Sequence, residues 1–322
     1  MKAIIYEAYG PPHVLQLKEM PQPVAKDDEV LIAVRATTVS SGDARMRALN
    51  VPYGFGLLSR LALGVFAPRT KILGMEFSGV IAAVGAKVSK FEVGASVFGM
   101  SPTFGGCYAE YRTFPESGPL AIKPSRITFE EAAALCFGGT TAHDFLRRGK
   151  LQRGERLLIN GASGAVGTAT IQLAKHLGAH VTGVCSKANL ELVRSLGADA
   201  VIDYKAEDFT RNGQTYDLIM DTAGTAPYAR VKGSLRSGGR FLMVLGGLPE
   251  SLGAVWVNMT TDHKVVAGVA KVLPEDVRLL AELSKAGTYK SVIDRTYPLE
   301  RMVEAHAYVD EGHKKGNVVI TV

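Results

Sequence analysis

Residues 157–167 read LLINGASGAVG, an apolar run followed by a turn of small residues and the start of a helical pattern. This order is typical of the strand–turn–helix unit that binds a dinucleotide. Gly164 would let the backbone approach a pyrophosphate, and Gly167 would let the helix pack closely against the strand. Ala165 and Val166 would add free N–H groups at the helix start. The alternative is a glycine turn that only packs a helix tightly.

Apolar strands and amphipathic helices alternate through the region that starts at Arg156. The predicted strands are 157–160, 180–184, 201–203, 218–221, 241–245 and 265–269, with helices through 172–177 and 190–196. Such alternation is typical of parallel strands joined by helical crossovers. We therefore predict an α/β fold containing a Rossmann doubly wound parallel sheet of six strands.

The rest of the chain predicts a second, mostly β domain. Short strands between Gly and Pro clusters are expected at 2–6, 14–19, 30–38, 79–84 and 108–114. After residue 269 we predict a helix at 274–285, a short strand near Val292, a helix at 302–309 and a terminal strand at 317–322. That strand should pair with the β domain, because the parallel sheet is already complete. The predicted domains are 1–125 with 272–322, and 126–271.

Composition excludes several classes of protein. The chain has 322 residues, which favours two domains, and its formal net charge of +6 is spread among acidic residues, which argues against nucleic-acid binding. Its three cysteines form no disulfide framework, so we expect a cytoplasmic protein. We see no secretory signal, and the strongest apolar run, Leu57–Ala67, is interrupted by Arg60, so no stable membrane insertion is expected.

The type of dinucleotide should be decided at the end of the second strand of the parallel sheet. An acidic residue there would bind a ribose 2′-hydroxyl. Residues 184–189 instead read VCSKAN, where Ser186 offers a hydroxyl and Lys187 a positive charge. Both suit a 2′-phosphate, so NADPH is favoured over NADH. The alternative is that Ser186 caps a helix and Lys187 is only solvated.

Residues 49–71 form a long apolar segment without clear periodicity. It contains Tyr53, Phe55, Leu57, Leu58, Leu61, Leu63 and Phe66. Segments of this kind are usually lids, binding walls or interfaces. A helix packed on the core is an alternative, and contact with a membrane surface is a third.

Motifs along the whole chain resemble those of the medium-chain dehydrogenase/reductase superfamily, in its zinc-independent quinone-oxidoreductase-like branch. They are the opening 1–17 with its Tyr-Gly-Pro-Pro turn, GMEFSG at 74–79 before a strand ending Val84-Gly85, GGCYAEY at 105–111, EEAA at 130–133, GTTA at 139–142, the glycine turn at 161–167 and LGAD at 196–199 leading to Val201–Tyr204. The resemblance implies that the β domain is a GroES-like catalytic domain. It also implies a homodimer.

Zinc ligands of related dehydrogenases are missing from this sequence. The resemblance places Ser40 and Met75 where zinc-dependent members carry Cys and His, and no four-cysteine lobe occurs near 99–107. A zinc site needs a tetrahedral set of thiolate, imidazole or carboxylate ligands. Glu76 with a distant Cys136 does not supply one, and Cys136 is expected to be a buried, inert thiol.

The resemblance implies hydride transfer from the nicotinamide C4 to a substrate that the protein positions. It places Ser40, Asp43 and Arg47 beside the nicotinamide, with Ser-Ser-Gly-Asp at 40–43 where relatives often carry Asn-Pro-X-Asp, and Arg45 where some quinone reductases carry tyrosine. Other expected cofactor contacts are Thr141 at the nicotinamide ribose, Tyr204 at the 2′-phosphate, Gly224, Leu245, Gly246 and Gly247 along the cofactor, and Asn317 at the mouth of the cleft. Each has a structural alternative, such as a helix cap for Asp43 or a simple turn for the glycines.

The reaction also needs a proton, and its source stays open between Tyr53 and water. His143 and His306 are isolated and are expected to have surface or core roles. The favoured function is NADPH-dependent, zinc-independent reduction of a small quinone or α,β-unsaturated carbonyl. An enoyl-thioester reductase and a non-catalytic NADPH-binding sensor or structural protein are the alternatives.

Overall fold

The computed structural model describes residues 1–102 and 105–322. Its strands are β1 (Lys2–Tyr6), β2 (Leu15–Glu19), β3 (Glu29–Val39), β4 (Glu76–Val84), β5 (Ser96–Met100), β6 (Tyr111–Pro115), β7 (Leu120–Ile122), β8 (Arg156–Asn160), β9 (His180–Cys185), β10 (Ala200–Asp203), β11 (Tyr216–Asp221), β12 (Leu235–Met243), β13 (Lys264–Val266), β14 (Ile293–Pro298) and β15 (Asn317–Thr321). Its α-helices are α1 (Ser41–Ala48), α2 (Gly56–Leu63), α3 (Phe129–Ala133), α4 (Cys136–Arg148), α5 (Ala165–His176), α6 (Leu190–Ser195), α7 (Tyr228–Val231), α8 (Leu248–Thr260), α9 (Pro274–Lys285) and α10 (Met302–Asp310).

The chain forms two compact units. The first contains residues 1–51, 56–137 and 272–322, and the second contains residues 52–55 and 138–271. Helix α3 and the first two residues of α4 therefore belong to the first unit, whereas the sequence analysis placed its boundary at residue 125. Conversely, the four residues 52–55 belong to the second unit, although both flanking segments belong to the first.

A mixed sheet forms the body of the first unit. Within the described residues its order is β14-β15-β3-β4-β5-β7, with β6 paired to β3. The terminal strand β15 pairs with β3 in antiparallel register, Val318 opposite Val39, and lies parallel to β14. The prediction that the last strand returns to the β domain is therefore confirmed. Buried Val39, Leu73 and Val318 belong to the core that this pairing completes.

The second unit is built on a parallel sheet with the order β10-β9-β8-β11-β12-β13. The α/β class with a Rossmann-type sheet and a separate β domain is thus confirmed. Strands β8 and β11 are buried in the middle because helices cover both faces of such sheets. The carboxyl ends of β8 and β11 lie side by side, with Asn160 opposite Asp221.

Residues 49–71 include a helix that the absence of periodicity concealed. Helix α2 is exposed along nearly its whole length, and none of its residues is buried. The alternative of a helix packed on the core is therefore wrong. Within the described part of the chain, no helix has both the length and the apolar character needed to cross a bilayer.

Candidate active site

The carboxyl edge of the parallel sheet is organised by two buried polar residues. Asn160 at the end of β8 donates from Nδ2 to Asp221 Oδ1 at 2.9 Å and to Thr225 Oγ1 at 2.9 Å. Asp221 in turn accepts from the backbone N–H groups of Ala223, Gly224 and Ala226. These bonds shape the loop after β11 and place Gly224, with φ of +71°, at this edge. Ligands of open α/β sheets bind at this edge.

The glycines that follow β8 have two different structural tasks. A Cβ on Gly167 would lie 2.2 Å from the Gly161 carbonyl oxygen, so glycine is required for helix α5 to pack on the turn. Around Gly164, by contrast, the nearest atom to such a Cβ is 3.7 Å away. Gly164 is the N-cap of α5 and has no side-chain cap. The N–H groups of Ala165, Val166 and Gly167 therefore have no intrahelical partner, and such groups are available to bind an anion.

Loops after β11 and β12 meet beside this helix. A Cβ on Gly224 would lie 3.3 Å from Leu245 Cβ, and Gly246 packs against Met243. Leu248 N donates to the Tyr53 carbonyl at 2.8 Å, and Gly247 also lies against that carbonyl. The structure thus brings the predicted cofactor residue Gly247 and the predicted acid Tyr53 together. The Tyr53 side chain itself is exposed.

The end of β9 presents the residues predicted to bind a 2′-phosphate. Ser186 begins the short 3-10 helix 187–189 but makes no side-chain cap bond, so the capping alternative is not seen. Lys187 is exposed, and its side chain forms no hydrogen bond or ion pair with any residue that the structure describes. Tyr204 follows the neighbouring strand β10, and its N–H donates to the Cys185 carbonyl. These three residues therefore lie at the ends of adjacent strands.

Asn189 and Gly138 are two contributors that the sequence analysis missed. Asn189 Nδ2 donates to Ser163 Oγ at 3.0 Å and so links the glycine turn to the end of β9. A Cβ on Gly138 would lie 2.4 Å from the Ala165 carbonyl, so α4 touches the start of α5. Thr141, one turn further along α4, is buried. Asp221, a polar residue at the end of the predicted strand 218–221, could have been identified from the sequence as a residue of this sheet edge.

In the first unit, Ser40 and Asp43 form a buried capping box at the start of α1. Ser40 N and Oγ donate to Asp43 Oδ2 at 2.8 and 2.6 Å, and Asp43 N donates to Ser40 Oγ at 3.1 Å. Burial raises the pKa of Asp43 to about 6, although hydrogen bonds from Ser40 oppose the shift. The structural alternative for Asp43, a helix cap, is therefore observed. Because its pKa is raised, the Asp43 carboxylate in this capping box is protonated more readily than an ordinary aspartate.

Glu76 lies in the same unit as a second buried carboxylate. It accepts hydrogen bonds from the Thr38 hydroxyl and from the Phe137 N–H, and its exposure is 0%. Burial raises the pKa of Glu76 to about 7, and the charge of Asp43 adds to this effect. Desolvation lowers the pKa of Lys314 to about 8, against the opposing attraction of Glu76. These groups form the titratable cluster of the first unit.

Arg47 and Asn317 are engaged in structural contacts. The Arg47 guanidinium, 1% exposed, donates to the Gly10 carbonyl at 3.0 Å and to Asp310 at 2.7 Å, which ties α1 to α10. Asn317 Nδ2 donates to the Val292 carbonyl at 3.1 Å. His306 is buried in the core, where desolvation lowers its pKa to about 3. These contacts favour a structural role for Arg47, whose place beside the nicotinamide stays a prediction.

The donor set at the corresponding zinc position does not fit a zinc ion. Ser40 is bonded to Asp43, and Met75 is buried with its methyl group against Gly42. The pKa of the buried Cys136 thiol is raised well above its usual value, so it does not supply a thiolate. Among the residues that the structure describes, no three His, Cys, Asp or Glu side chains are placed to bind one metal. We therefore derive no catalytic step through zinc.

Comparison with known proteins places this fold and site in one enzyme class. Residues 26–124 match the alcohol dehydrogenase GroES-like domain, and residues 196–320 match a domain described as a zinc-binding dehydrogenase. A chloroplastic quinone-oxidoreductase homolog of Spinacia oleracea is 30% identical over 99% of this chain and 98% of its own length. An NADPH-dependent alkenal/one oxidoreductase of Arabidopsis thaliana is 31% identical over 99% of this chain and 79% of its own length.

Solved structures agree with these relatives. The quinone oxidoreductase from Coxiella burnetii has 28% sequence identity and a TM-score of 0.88, covering 100% of this chain and 99% of the other. The fold and the sheet-edge site thus define an oxidoreductase that uses a nicotinamide cofactor. The chain belongs to the medium-chain dehydrogenase/reductase superfamily, in its quinone-oxidoreductase-like branch.

Proposed function

We propose that this protein is an NADPH-dependent reductase of a quinone or an α,β-unsaturated carbonyl that works without zinc. The observation that carries the proposal is the open, uncapped start of α5, together with the exposed Lys187 side chain after β9, which has no partner among the described residues. The names of the Spinacia and Arabidopsis relatives support the same substrate classes. When bound, NADPH would supply the hydride.

The proposed cofactor contacts follow from where each residue lies. The N–H groups of Ala165, Val166 and Gly167 bind the pyrophosphate, because they point away from the helix. Ser186, Lys187 and Tyr204 bind the 2′-phosphate, where a positive charge and hydroxyls favour an anion. Thr141, Gly224, Leu245, Gly246 and Gly247 line the rest of the dinucleotide, and Asn317 stays a proposed contact at the mouth of the site.

Ser40 and Asp43 are the proposed groups that orient the reacting carbonyl. The Ser40 hydroxyl is held by Asp43 at 2.6 Å, which limits the directions in which it can accept or donate. Arg47 supports them by anchoring α1. Tyr53 is the proposed acid, since its backbone is fixed to the cofactor loop at Leu248 while its hydroxyl is free to reach a substrate.

The proposal is tested by titrating the purified protein with NADPH and NADH while following nicotinamide fluorescence. Quinones, enones and an enoyl thioester are then added to the preferred complex, and consumption of the reduced cofactor is measured. Tight NADPH binding with turnover of a quinone or enone is expected. Turnover of the thioester alone would identify an enoyl-thioester reductase instead, and tight binding without turnover would favour a non-catalytic sensor.

A homodimer is proposed to form through the exposed face of α8. Leu252, Val255, Trp256 and Met259 on this helix are 57–79% exposed, which is unusual for a monomer surface. The neighbouring sheet edge is less suitable, because the Asn258 side chain bonds both the N–H and the carbonyl of Val265. A second copy would cover these apolar side chains. We also propose the cytoplasm, where the free buried cysteines would stay reduced.

A further inference from the structure

Helix α2 and the turn that follows it carry an exposed apolar surface that the proposed chemistry does not use. Leu57, Leu58 and Leu61 are 54–71% exposed, and Phe66 is 97% exposed. Apolar helices of soluble proteins normally bury such side chains. A contiguous apolar patch of this kind marks an interaction surface. We call residues 56–71 the α2 surface.

The α2 surface is held in place by specific bonds. Tyr9 Oη donates to the Gly64 carbonyl at 3.1 Å, and Arg69 N donates to the Leu63 carbonyl at 2.8 Å. Gly64 has φ of +127°, and a Cβ there would lie 1.9 Å from the Ala67 carbonyl oxygen. These bonds and the glycine fix the conformation of the turn that exposes Phe66.

Charge around the α2 surface has one sign. From Ala44 to Met75 the charged residues are Arg45, Arg47, Arg60, Arg69 and Lys71, and there is no Asp or Glu. Arg60 and Arg69 are exposed, and each also donates to a backbone carbonyl of the same surface. Lys71 lies 4.0 Å from the Glu7 carboxylate and forms an ion pair with it. Arg60 and Arg69 form no ion pair with any residue that the structure describes, and apolar side chains beside such cations suit an interface that is apolar below and anionic above.

We propose that the α2 surface binds the face of an anionic phospholipid bilayer. Phe66 and the leucines enter the outer acyl region, and Arg60, Arg69 and Lys71 remain among the phosphates. A second copy of the chain is a poor occupant, since a two-fold interface would bring the same cations together. This binding lies on the membrane and does not need a spanning helix. It is also independent of the proposed reductase activity.

The test is co-sedimentation of the full-length protein with vesicles of phosphatidylcholine alone or mixed with phosphatidylglycerol. We expect binding to the mixed vesicles that weakens as salt is added. Phe66→Ser should lower the partition coefficient about tenfold or more, because the variant lacks the exposed phenyl ring that would be buried in the bilayer. Arg60→Gln with Arg69→Gln should weaken binding to mixed vesicles and reduce its salt dependence, while the amides can still donate to the backbone.

Val24→Ser is the matched control, because Val24 is also highly exposed but lies outside the α2 surface. It should bind as the unaltered protein does, and Leu57→Ser provides a second variant should Phe66→Ser misfold. Equal binding by all variants, no binding to either vesicle, or equal binding to both vesicle types would overturn the proposal. A smaller oligomer for Phe66→Ser in sedimentation velocity would also overturn it, by assigning the surface to a second copy.

Discussion

At the scale of single residues, the proposed preference for NADPH rests on the absence of a partner for the Lys187 side chain. It is a cation without a described partner at the end of β9, in a stretch that has no acidic side chain. Because the Lys187 ammonium is solvated and has no protein partner, no existing contact is broken when it forms a charge-assisted hydrogen bond with a phosphate. The contrast between NADPH and NADH therefore isolates this one interaction.

Lys187→Ala should weaken NADPH binding much more than NADH binding. A charge-assisted contact contributes roughly 1.5–3 kcal/mol, which corresponds to about a tenfold to hundredfold change in Kd for NADPH. Nicotinamide fluorescence titration measures both constants. Lys232→Ala is the control, because Lys232 precedes β12 at the opposite edge of the sheet. Equal losses for both cofactors would remove the 2′-phosphate assignment.

Tyr53→Phe should lower kcat for an enone about tenfold to hundredfold without changing Kd for NADPH. The hydroxyl is the only group removed, and the backbone bond to Leu248 is kept. Steady-state kinetics and fluorescence titration separate the two effects. An unchanged kcat would point to water as the proton source.

Glu76 makes stability depend on pH. Its pKa is 4.5 when exposed and about 7 in the folded chain, so the folded state alone holds this proton between those values. Stability is therefore lost as pH rises from 4.5 to 7, by up to about 3 kcal/mol from Glu76. Asp43 and Lys314 titrate in the same cluster and are present in both proteins compared below.

Glu76→Gln should remove most of that loss. The amide oxygen can still accept from Phe137 N–H, and the amide N–H can donate to Thr38. Urea unfolding of both proteins at several pH values across this window gives the two slopes. Parallel slopes would mean that Glu76 titrates normally in the folded state.

Among the elements, helix α5 separates packing from ligand binding. Gly167 in its first turn is crowded by the preceding turn, whereas a Cβ on the N-cap Gly164 would have no atom closer than 3.7 Å. The same added methyl group therefore has two different expected effects.

Gly167→Ala should destabilise the protein by at least about 1–3 kcal/mol, since its Cβ would overlap the Gly161 carbonyl. Gly164→Ala should fold normally, because φ is −78° and its Cβ meets no atom within 3.4 Å. It should nevertheless lose NADPH affinity, as the methyl occupies the place proposed for the pyrophosphate. Thermal unfolding and fluorescence titration distinguish the two. A Gly164→Ala variant with full affinity would contradict the assignment of the cradle.

For the whole molecule, two exposed apolar surfaces need different occupants. The α2 surface contains the cations Arg60, Arg69 and Lys71, whereas the exposed α8 residues lie beside the edge strand β13, whose Val265 is bonded by the Asn258 side chain. Self-association fits the second surface because it does not bring a row of like charges together.

Trp256→Ser combined with Met259→Ser should shift the protein from dimer to monomer. The two side chains are 70% and 79% exposed and are expected to lie at the centre of the interface. Sedimentation velocity over a concentration series measures the shift, and Val24→Ser should leave the dimer intact. If the protein without substitutions were monomeric at every concentration, the dimer proposal would be contradicted.

The sequence alone determined the fold class, because periodicity and glycine position are local signals. The turn at 157–167, the uncapped start of α5 and the missing acid before Lys187 all follow from neighbouring residues. The helix Pro274–Lys285 was predicted to the residue, since its periodicity is strong and a proline begins it. By contrast, β5 and β7 were missed, because strands of five and three residues are too short to show a clear alternation of apolar and polar residues.

Only the tertiary structure decided which polar residues act together. The bonds of Asn160 with Asp221, of Arg47 with Asp310 and of Glu76 with Phe137 join residues more than 60 positions apart. The same holds for Tyr53, which meets Leu248 only when the chain is folded. Burial, and with it the raised pKa of Glu76 and the exposure of Phe66, depends on what packs nearby. Local pattern carries no information about that packing.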